Sequence, residues 1–323
     1  HAWMRPPAAG SSPTMAMYRY TGRKVSTSSA MDNTIVAHEW GHFITHRLIF
    51  NSNGLGTDQA RALGEGWGDF LALLLAVRSD NDHYQGSYAQ GNHAGGSNFN
   101  GEFDPENQAY FGARRYPYST DFGKNPLTYK HILGSEALPG ESRAPINQQY
   151  MGLYRDYGYT AAQINPEVHA AGEVWANMLW GCYVSLLNRH PFEDARTRMR
   201  DYLVAGLKLT PKNPTFVSAG NALLAAMQAS DADDASSCRA AFAWRGLGSV
   251  AKASTNTSTH VGLSEAFDAT VPLVTVESVK LSMKSTDGAL SCDADDWLDN
   301  GEKGYLEVKL LNRGGVATSD VQL

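Results

Sequence analysis

The sequence of 323 residues has few cysteines, no long apolar run and no excess of positive charge. Its three cysteines, Cys182, Cys238 and Cys292, contain no Cys-x-x-Cys pair, which argues against a metal bound by cysteine. They predict either three buried thiols or one disulfide, and we favour a bond between Cys238 and Cys292. The longest apolar run, residues 70–77, is too short to span a bilayer.

The charge balance bears on possible partners. The chain has 27 Lys and Arg against 33 Asp and Glu, a formal net charge of −6. Proteins that bind nucleic acid carry a basic face, so a nucleic-acid partner is not expected. The length is sufficient for a full hydrophobic core and for two domains. No signal peptide is visible, and we expect that any segment before His1 has been removed or left out.

The sequence reads His-Glu-x-x-His at residues 38–42, within an apolar segment that predicts a helix ending near residue 50. Four residues make about one helical turn, so His38 and His42 lie on the same face. Two neutral imidazoles in this arrangement can both reach one zinc ion at ~2.1 Å. Glu39 is turned ~100° around the helix axis, which places it beside the metal, where it can take a proton from a water molecule.

Two further motifs supply the remaining groups of such a site. The first, Gly-Glu-Gly-Trp-Gly-Asp-Phe at residues 64–70, offers Glu65 as a third zinc ligand from a second helix. Asp69, one turn further, can accept the spare N–H of a ligand histidine. The second motif, His-Ala-Ala-Gly-Glu-Val-Trp at residues 169–175, offers His169 as a hydrogen-bond donor to an oxyanion.

These three motifs, in this order, resemble those of the fungalysin family of secreted zinc metalloproteases, which are relatives of thermolysin. The resemblance implies a secreted zinc endopeptidase that hydrolyses proteins or peptides, with a propeptide upstream that has been removed. It also implies a mainly α fold, namely a helical thermolysin-like catalytic subdomain with a zinc helix, followed by the start of a β-sandwich. In this mechanism Glu39 takes the proton of the attacking water and passes it to the leaving amine.

The resemblance extends to two substrate contacts. Residues 1–3 resemble an edge strand that pairs with the substrate backbone in thermolysin relatives, so Ala2 is expected to bind substrate, and the β-rich part before it is expected to be missing. A frayed terminus is the alternative. Residues 112–120 are similar to a fungalysin Gly-x-Arg-x-Tyr-Pro-Tyr-Ser segment, in which Arg114 corresponds to an arginine that grips a substrate carbonyl. A solvated surface arginine is the alternative there.

One thermolysin feature has no counterpart in this sequence. Thermolysin has a tyrosine after its zinc helix that helps to hold the oxyanion, and this chain has no tyrosine between His42 and Glu65. We expect the role to fall to His169 or to a residue that the sequence does not identify. His46, one turn beyond His42, is predicted to be a surface or core histidine, because three protein ligands suffice for a catalytic zinc.

The rest of the chain divides by composition. Residues 79–125 are rich in Gly, Asn, Asp and Tyr and predict long surface loops, while four helical stretches are predicted between residues 166 and 246. After residue 255 the pattern changes to short strands, so we predict a catalytic domain over 1–255 and an incomplete immunoglobulin-like β-sandwich over 271–323. Ca²⁺ could bind through oxygen ligands in 79–125 or in the acid cluster 293–302, and solvated loops are the alternative.

Two other functions remain as alternatives to an endopeptidase. In one, the zinc helix is structural and the protein is a non-catalytic surface or adhesion module. Glu39 argues against it, because a structural zinc site needs neither a carboxylate beside the metal nor an open fourth position. In the other, the protein is an aminopeptidase-type exopeptidase, which digestion of an amino-blocked protein would distinguish.

Overall fold

The computed structural model describes residues 2–5, 12–20, 27–93, 104–140, 144–255, 260–268, 274–282 and 304–312. The chain separates into two compact units, His1–Asp268 and Ala269–Leu323. Within the described residues the first unit is mainly helical, as the sequence predicts. Its helices are α1 (Asn33–Leu48), α2 (Asp58–Ala76), α3 (Pro105–Phe111), α4 (Gln148–Asp156), α5 (Ala161–Ile164), α6 (Val168–Leu187), α7 (Phe192–Leu209), α8 (Phe216–Ser230) and α9 (Ala232–Trp244).

Two hairpins precede the first helix. Strand β1 (Ala2–Arg5) pairs antiparallel with β2 (Thr14–Met17), and β3 (Arg19–Tyr20) pairs with β4 (Thr27–Ser28). Helix α1 then begins where the side chain of Asp32 accepts hydrogen bonds from the backbone N–H groups of Thr34 and Ile35. A capping carboxylate of this kind satisfies N–H groups that have no partner within the helix.

Glycines allow α1, α2 and α6 to pack unusually close together. A Cβ at Gly41 of α1 would lie 2.7 Å from the Cα of Gly68 of α2. On the opposite side of α2, a Cβ at Gly66 would lie 2.4 Å from the backbone oxygen of Gly172 in α6. Glycine within a helix costs roughly 0.5–1 kcal/mol relative to alanine. Here the missing Cβ atoms permit backbone contact on both faces of α2. This contact brings side chains of three helices close together.

The core of the first unit surrounds α6. This helix is apolar on nearly every face, a pattern typical of helices at the centre of a domain, and residues 170–180 are all buried. Trp175 lies at its middle and makes ring contacts with Trp67 of α2, Phe216 of α8 and Phe242 of α9. The helices of the carboxy-terminal half thereby hold α2 and α6 in place from behind.

The predicted disulfide between Cys238 and Cys292 is wrong. The structure instead joins Cys182 of α6 to Cys238 of α9, with an S–S distance of 2.00 Å and a Cα–Cα distance of 4.4 Å. The two cysteines lie on packed helices, a proximity that their sequence separation of 56 residues does not reveal. Cys292 lies outside the described residues.

The prediction of surface loops over residues 79–125 is wrong for part of that stretch. It contains helix α3 and, after it, a segment of residues 114–119 in which every side chain is buried. The segment is polar and aromatic, so it does not show the aliphatic pattern of a core element. Its burial depends on charged partners in α2 and α6, described below, which composition alone cannot identify.

The second unit contains one described hairpin. Strands β5 (Val274–Ser282) and β6 (Tyr305–Asn312) pair antiparallel, with an irregularity in register between Val276 and Ser278. The immunoglobulin-like sandwich over 271–323 stays a prediction. The acid cluster 293–302 lies outside the described residues, and calcium binding likewise stays a prediction.

Candidate metal centre

Helices α1 and α2 bring two histidines and a carboxylate together at one side of the first unit. Nε2 of His38 lies 3.3 Å from Oε2 of Glu65, and Nε2 of His42 lies 3.4 Å from Oε1 of the same carboxylate. The three possible ligand atoms all lie within 4.8 Å of one another. Two atoms that bind one zinc ion at ~2.1 Å in a tetrahedron are separated by about 3.4 Å. The spacing of these three groups therefore fits a zinc ion.

Unpaired polar atoms support the same interpretation. Oε2 of Glu65 is buried and has no well-aligned hydrogen bond within the part of the chain that the structure describes, although Nε2 of His38 and Nε2 of His169 lie 3.3 and 3.4 Å from it. Oε2 of Glu39 is also buried without a hydrogen bond from the described residues. A buried carboxylate oxygen without a partner is costly, and such groups normally have a partner, a water molecule or an ion. A cation among His38, His42 and Glu65 would provide that partner.

The charges of the site follow from burial and from mutual contact. Burial lowers the pKa of His42 to about 4, although Glu65 opposes the shift. Burial would raise the pKa of Glu65, but His169, His42 and His38 together hold it well below its usual value. A neutral His42 beside an ionised Glu65 matches the protonation states that a zinc site requires.

The ring of His38 is fixed by Asp69. Oδ1 of Asp69 lies 2.7 Å from Nδ1 of His38, with both side chains buried. Burial lowers the pKa of His38, but the carboxylates of Asp69 and Glu65 raise it to about 10. At that pKa both ring nitrogens carry a proton at neutral pH, Nδ1 toward Asp69 and Nε2 toward Glu65, and a zinc ion would replace the proton on Nε2. Carboxylates behind ligand histidines commonly set ring orientation in this way.

Asp69 itself is held by a second group of side chains. Arg114 donates from Nε to Oδ2 at 2.6 Å and from Nη2 to Oδ1 at 2.8 Å, and the hydroxyl of Tyr118 also donates to Oδ2. The side chain of Arg114 is 6% exposed, so Arg114 is not a solvated surface residue. Burial would raise the pKa of Asp69, but Arg114 and His38 lower it below its usual value.

Residues 114–119 are fixed against α6 by a second buried ion pair. Nε of Arg115 lies 2.9 Å from Oε2 of Glu173, whose Oε1 accepts from the backbone N–H of Tyr116 at 2.7 Å. Both charged side chains are fully buried. The sequence analysis assigned no role to Arg115 or Glu173. The only signal was that a helix as apolar as α6 contains one acidic residue, which in a core must be paired.

Glu39 lies on the open side of α1 and lines the cleft that contains the three candidate ligands. Burial raises its pKa above the usual value, and the neighbouring Glu65 raises it further, whereas His38, His169 and Arg114 lower it. A carboxylate with a raised pKa is a stronger base, and catalytic carboxylates are commonly adjusted in this direction.

His169, distant in sequence, also faces the candidate ligands. Its Nε2 lies 3.4 Å from Oε2 of Glu65, while its Nδ1 lies 2.8 Å from Oε1 of Glu167. Glu167 caps α6 by accepting hydrogen bonds from the backbone N–H groups of His169 and Ala170, and it also accepts one from the hydroxyl of Tyr154. The carboxylates raise the pKa of His169 although burial lowers it. Glu167 is a site residue that the sequence analysis missed.

The cleft continues beyond these groups. Strand β1 forms one wall through residues 2–4, and the opposite side is formed by residues of α1, α2 and the start of α6. Ala2 therefore lies at the cleft, and its contact with the substrate backbone stays a prediction. The remaining lining side chains are His46, Leu55, Arg61 and Val168.

The sequence of the chain matches a known protein family. Residues 1–251 match the family described as Fungalysin metallopeptidase (M36). The chain is 30% identical over 260 residues to extracellular metalloproteinase 2 of Trichophyton tonsurans. The aligned region covers 75% of this chain and 34% of that protein. It is 31% identical over 286 residues to extracellular metalloproteinase mep of Aspergillus fumigatus. That aligned region covers 80% of this chain and 36% of that protein.

A third relative, extracellular metalloproteinase 2 of Arthroderma otae, is 29% identical over 279 residues, or 81% of this chain and 36% of that protein. The chain thus spans about a third of the length of the curated relatives that it matches. Within the described residues, no helix combines the length and hydrophobicity needed to cross a bilayer.

Proposed function

Because the chain belongs to the fungalysin family of metallopeptidases, we propose that it is a secreted zinc endopeptidase that hydrolyses proteins and peptides. The observation that carries this proposal is the convergence of His38, His42 and Glu65 at the spacing of tetrahedral zinc ligands. When bound, a zinc ion supplies Lewis-acid activation of the attacking water and of the scissile carbonyl.

Glu39 acts as the general base and then as the general acid. Its carboxylate lies in the cleft beside the ligands, with Oε2 free of any hydrogen bond from the described residues. It accepts a proton from the attacking water and delivers it to the nitrogen of the leaving amine. The raised pKa suits both steps, because the carboxylate must take and release one proton near neutral pH.

His169 donates a hydrogen bond from Nε2 to the oxyanion that forms at the scissile carbonyl. Its ring is directed at the ligand carboxylate and is held from behind by Glu167. Removal of a donor of this kind costs about 2.7–4 kcal/mol of transition-state stabilisation in other hydrolases. Because no tyrosine lies between His42 and Glu65, His169 carries this role without such a residue.

Asp69 and Arg114 support the site from behind. Asp69 holds the ring of His38, and Arg114 holds Asp69 through two parallel hydrogen bonds. Nη1 of Arg114 donates to the backbone oxygen of Ala113, which leaves one further N–H of that nitrogen for a substrate carbonyl. The edge of β1 at Ala2 binds the substrate backbone in an extended conformation.

Two observations support secretion. The relatives are named extracellular metalloproteinases, and the chain has a disulfide between Cys182 and Cys238. Disulfides persist in oxidising environments such as the extracellular space. A propeptide that is removed before activity is part of the same proposal.

Metal analysis tests the proposal. After removal of metal and replenishment with zinc, the purified chain should hold one equivalent of zinc, and Glu65→Gln should bind it much more weakly because the amide lacks the ligand charge. A chain that retains no zinc would refute the assignment. An endopeptidase would then cut an amino-blocked protein at internal bonds, and an aminopeptidase would not. A zinc-stabilised adhesion module would cut neither this protein nor one with a free amino terminus.

A further inference from the structure

Helices α1 and α2 run antiparallel beside the cleft, and their facing side chains pair at levels one turn apart. At the first level, His38 of α1 contacts Asp69 of α2, with 2.7 Å between Nδ1 and Oδ1. At the second level, His42 contacts Glu65, with 3.4 Å between Nε2 and Oε1. A step forward of four residues on α1 thus corresponds to a step back of four residues on α2, although Glu65 also lies 3.3 Å from Nε2 of His38.

The next step leads to His46 on α1 and Arg61 on α2. Both side chains line the cleft, as this register requires. The level therefore lies about 5.4 Å along the helix from the ligands His42 and Glu65, the rise of one turn. Both side chains of this level carry nitrogen, and the carboxylate that contacts Arg61 is that of Asp58, three residues earlier on α2.

One side chain at this level has a ring nitrogen without a hydrogen bond among the described residues, and the other has an exposed partner. Nδ1 of His46 is buried and makes no hydrogen bond with any residue that the structure describes. The guanidinium of Arg61 contacts Oδ1 of Asp58 at 2.5 Å, but the two side chains are 57% and 38% exposed. Exposed pairs of this kind contribute little to stability, so Arg61 can exchange Asp58 for another anion.

The electrostatics of the cleft favour one kind of ligand here. Apart from the proposed ligands, Glu39 and His169, the ionisable side chains that line the described cleft are His46 and Arg61. Burial lowers the pKa of His46, so it provides a neutral hydrogen-bonding group, and Arg61 provides the positive charge. A guanidinium and a hydrogen-bonding ring that line the same cleft suit a carboxylate, whose oxygens can accept from both.

We propose that His46 and Arg61 form a subsite that selects substrates with an acidic side chain close to the scissile bond. This inference rests on the proposed function and adds a substrate class to it. An extended peptide advances 3.3–3.4 Å per residue, so a level about 5.4 Å from the ligands corresponds to one or two residues from the bond that is cut.

Matched peptides test the subsite. A fluorogenic peptide with alanine at the three positions on each side of the cut is compared with versions that carry Glu or Gln at one position at a time. At one position within two residues of the cut, kcat/KM should be about three- to tenfold higher for Glu than for Gln, and the ratio should fall as ionic strength rises. Equal values for Glu and Gln at all six positions would overturn the proposal.

Variants assign the preference to the two residues. Arg61→Gln should bring the Glu/Gln ratio close to one, and Arg61→Glu should favour Lys at the same position. His46→Leu should reduce the ratio in part, because it removes only a hydrogen bond. The control is Arg47→Gln, which removes the same charge from an exposed position of α1 whose side chain bonds Asn51. A ratio that falls equally in Arg47→Gln and Arg61→Gln would show a general charge effect and refute the subsite.

A binding measurement separates the failure of this proposal from the failure of the proposed activity. In the Glu39→Gln background, fluorescence anisotropy of labelled Glu and Gln peptides measures affinity without turnover. A Glu preference that depends on Arg61 supports the subsite even if the unsubstituted chain cuts no peptide. Equal affinity for the two peptides, in a chain that does cut them, overturns the subsite and leaves the peptidase activity standing.

Discussion

Glu167 holds the ring of His169 two residues further along the chain, with 2.8 Å between Oε1 and Nδ1. The same carboxylate caps α6 through the backbone N–H groups of His169 and Ala170. One side chain thus fixes both where the helix begins and where the imidazole points. The other ring nitrogen is directed at Glu65, so the orientation of the proposed oxyanion donor depends on a residue that touches neither the candidate metal position nor the substrate.

Glu167→Gln should therefore lower activity through His169. The amide can still cap α6 but loses the charge that orders the imidazole, and we expect kcat to fall roughly 10–100-fold, by analogy with groups that orient metal-ligating histidines. Zinc content and KM should change little. Steady-state kinetics and metal analysis of the same sample measure kcat, KM and zinc content. If zinc is lost along with kcat, Glu167 acts on the metal ligands and not on His169.

His169→Ala removes the proposed donor itself. We expect kcat to fall about 10²–10³-fold with zinc content unchanged, because His169 is not among the three groups whose possible ligand atoms converge. The double variant with Glu167→Gln should be no worse than His169→Ala alone, since Glu167 acts through a ring that is then absent. A normal kcat in His169→Ala would leave the oxyanion donor unidentified.

Glu39→Gln should retain zinc and the fold but abolish peptide hydrolysis. Glu39 lies beside the candidate ligands and is not among the three groups that converge. The amide cannot take a proton from water, so activity should be lost while metal analysis and the thermal transition stay as in the unsubstituted chain. Zinc-free Glu39→Gln protein would mean that Glu39 is a ligand.

Asp69→Ala should weaken zinc binding roughly 10–100-fold. The substitution frees the ring of His38 and also leaves the buried guanidinium of Arg114 without its main partner. A competition titration with a chelator measures the affinity. Arg114→Met serves for comparison, because it removes the support of Asp69 but leaves the bond between Asp69 and His38. Unchanged affinity in Asp69→Ala would show that the hydrogen bond to His38 is dispensable.

Asp234 should make stability depend on acid pH. Its side chain is buried and accepts from His190 at 2.6 Å, from Tyr202 at 2.9 Å and from Arg198 at 3.1 Å. These bonds outweigh burial and hold its pKa below the ordinary value of 3.8. A carboxyl with a depressed pKa stabilises the fold above its unfolded pKa, and the contribution is lost as pH falls through the folded pKa.

Denaturant unfolding of Asp234→Asn measures this effect. The difference in the free energy of unfolding from the unsubstituted chain should be about 1–3 kcal/mol at pH 7, and it should shrink below about pH 4. The control is Asp233→Asn, since Asp233 is 81% exposed and forms its ion pair with Arg189 at 3.3 Å on the surface. A difference for Asp234→Asn that is constant from pH 7 to pH 3 would contradict the assignment.

The sequence by itself determined the parts of the site that depend on local geometry. His38 and His42 share a face because they are four residues apart in a helix, and Glu65 and Asp69 repeat that spacing in α2. The helices α1, α2 and α6 to α9 follow from apolar periodicity and capping residues. These features depend on the regular geometry of a single element, which a sequence expresses directly.

Tertiary structure decided the contacts between distant elements. The bond between Cys182 and Cys238 and the burial of residues 114–119 against α2 and α6 were not predicted, nor was the position of His46 and Arg61 in the lining of one cleft. Each depends on how closely two helices approach and in which register they pack. That approach is set by glycines such as Gly41 and Gly68, whose missing Cβ atoms allow backbone contact. A sequence shows a glycine, but only the packed structure shows which backbone fills the space beside it.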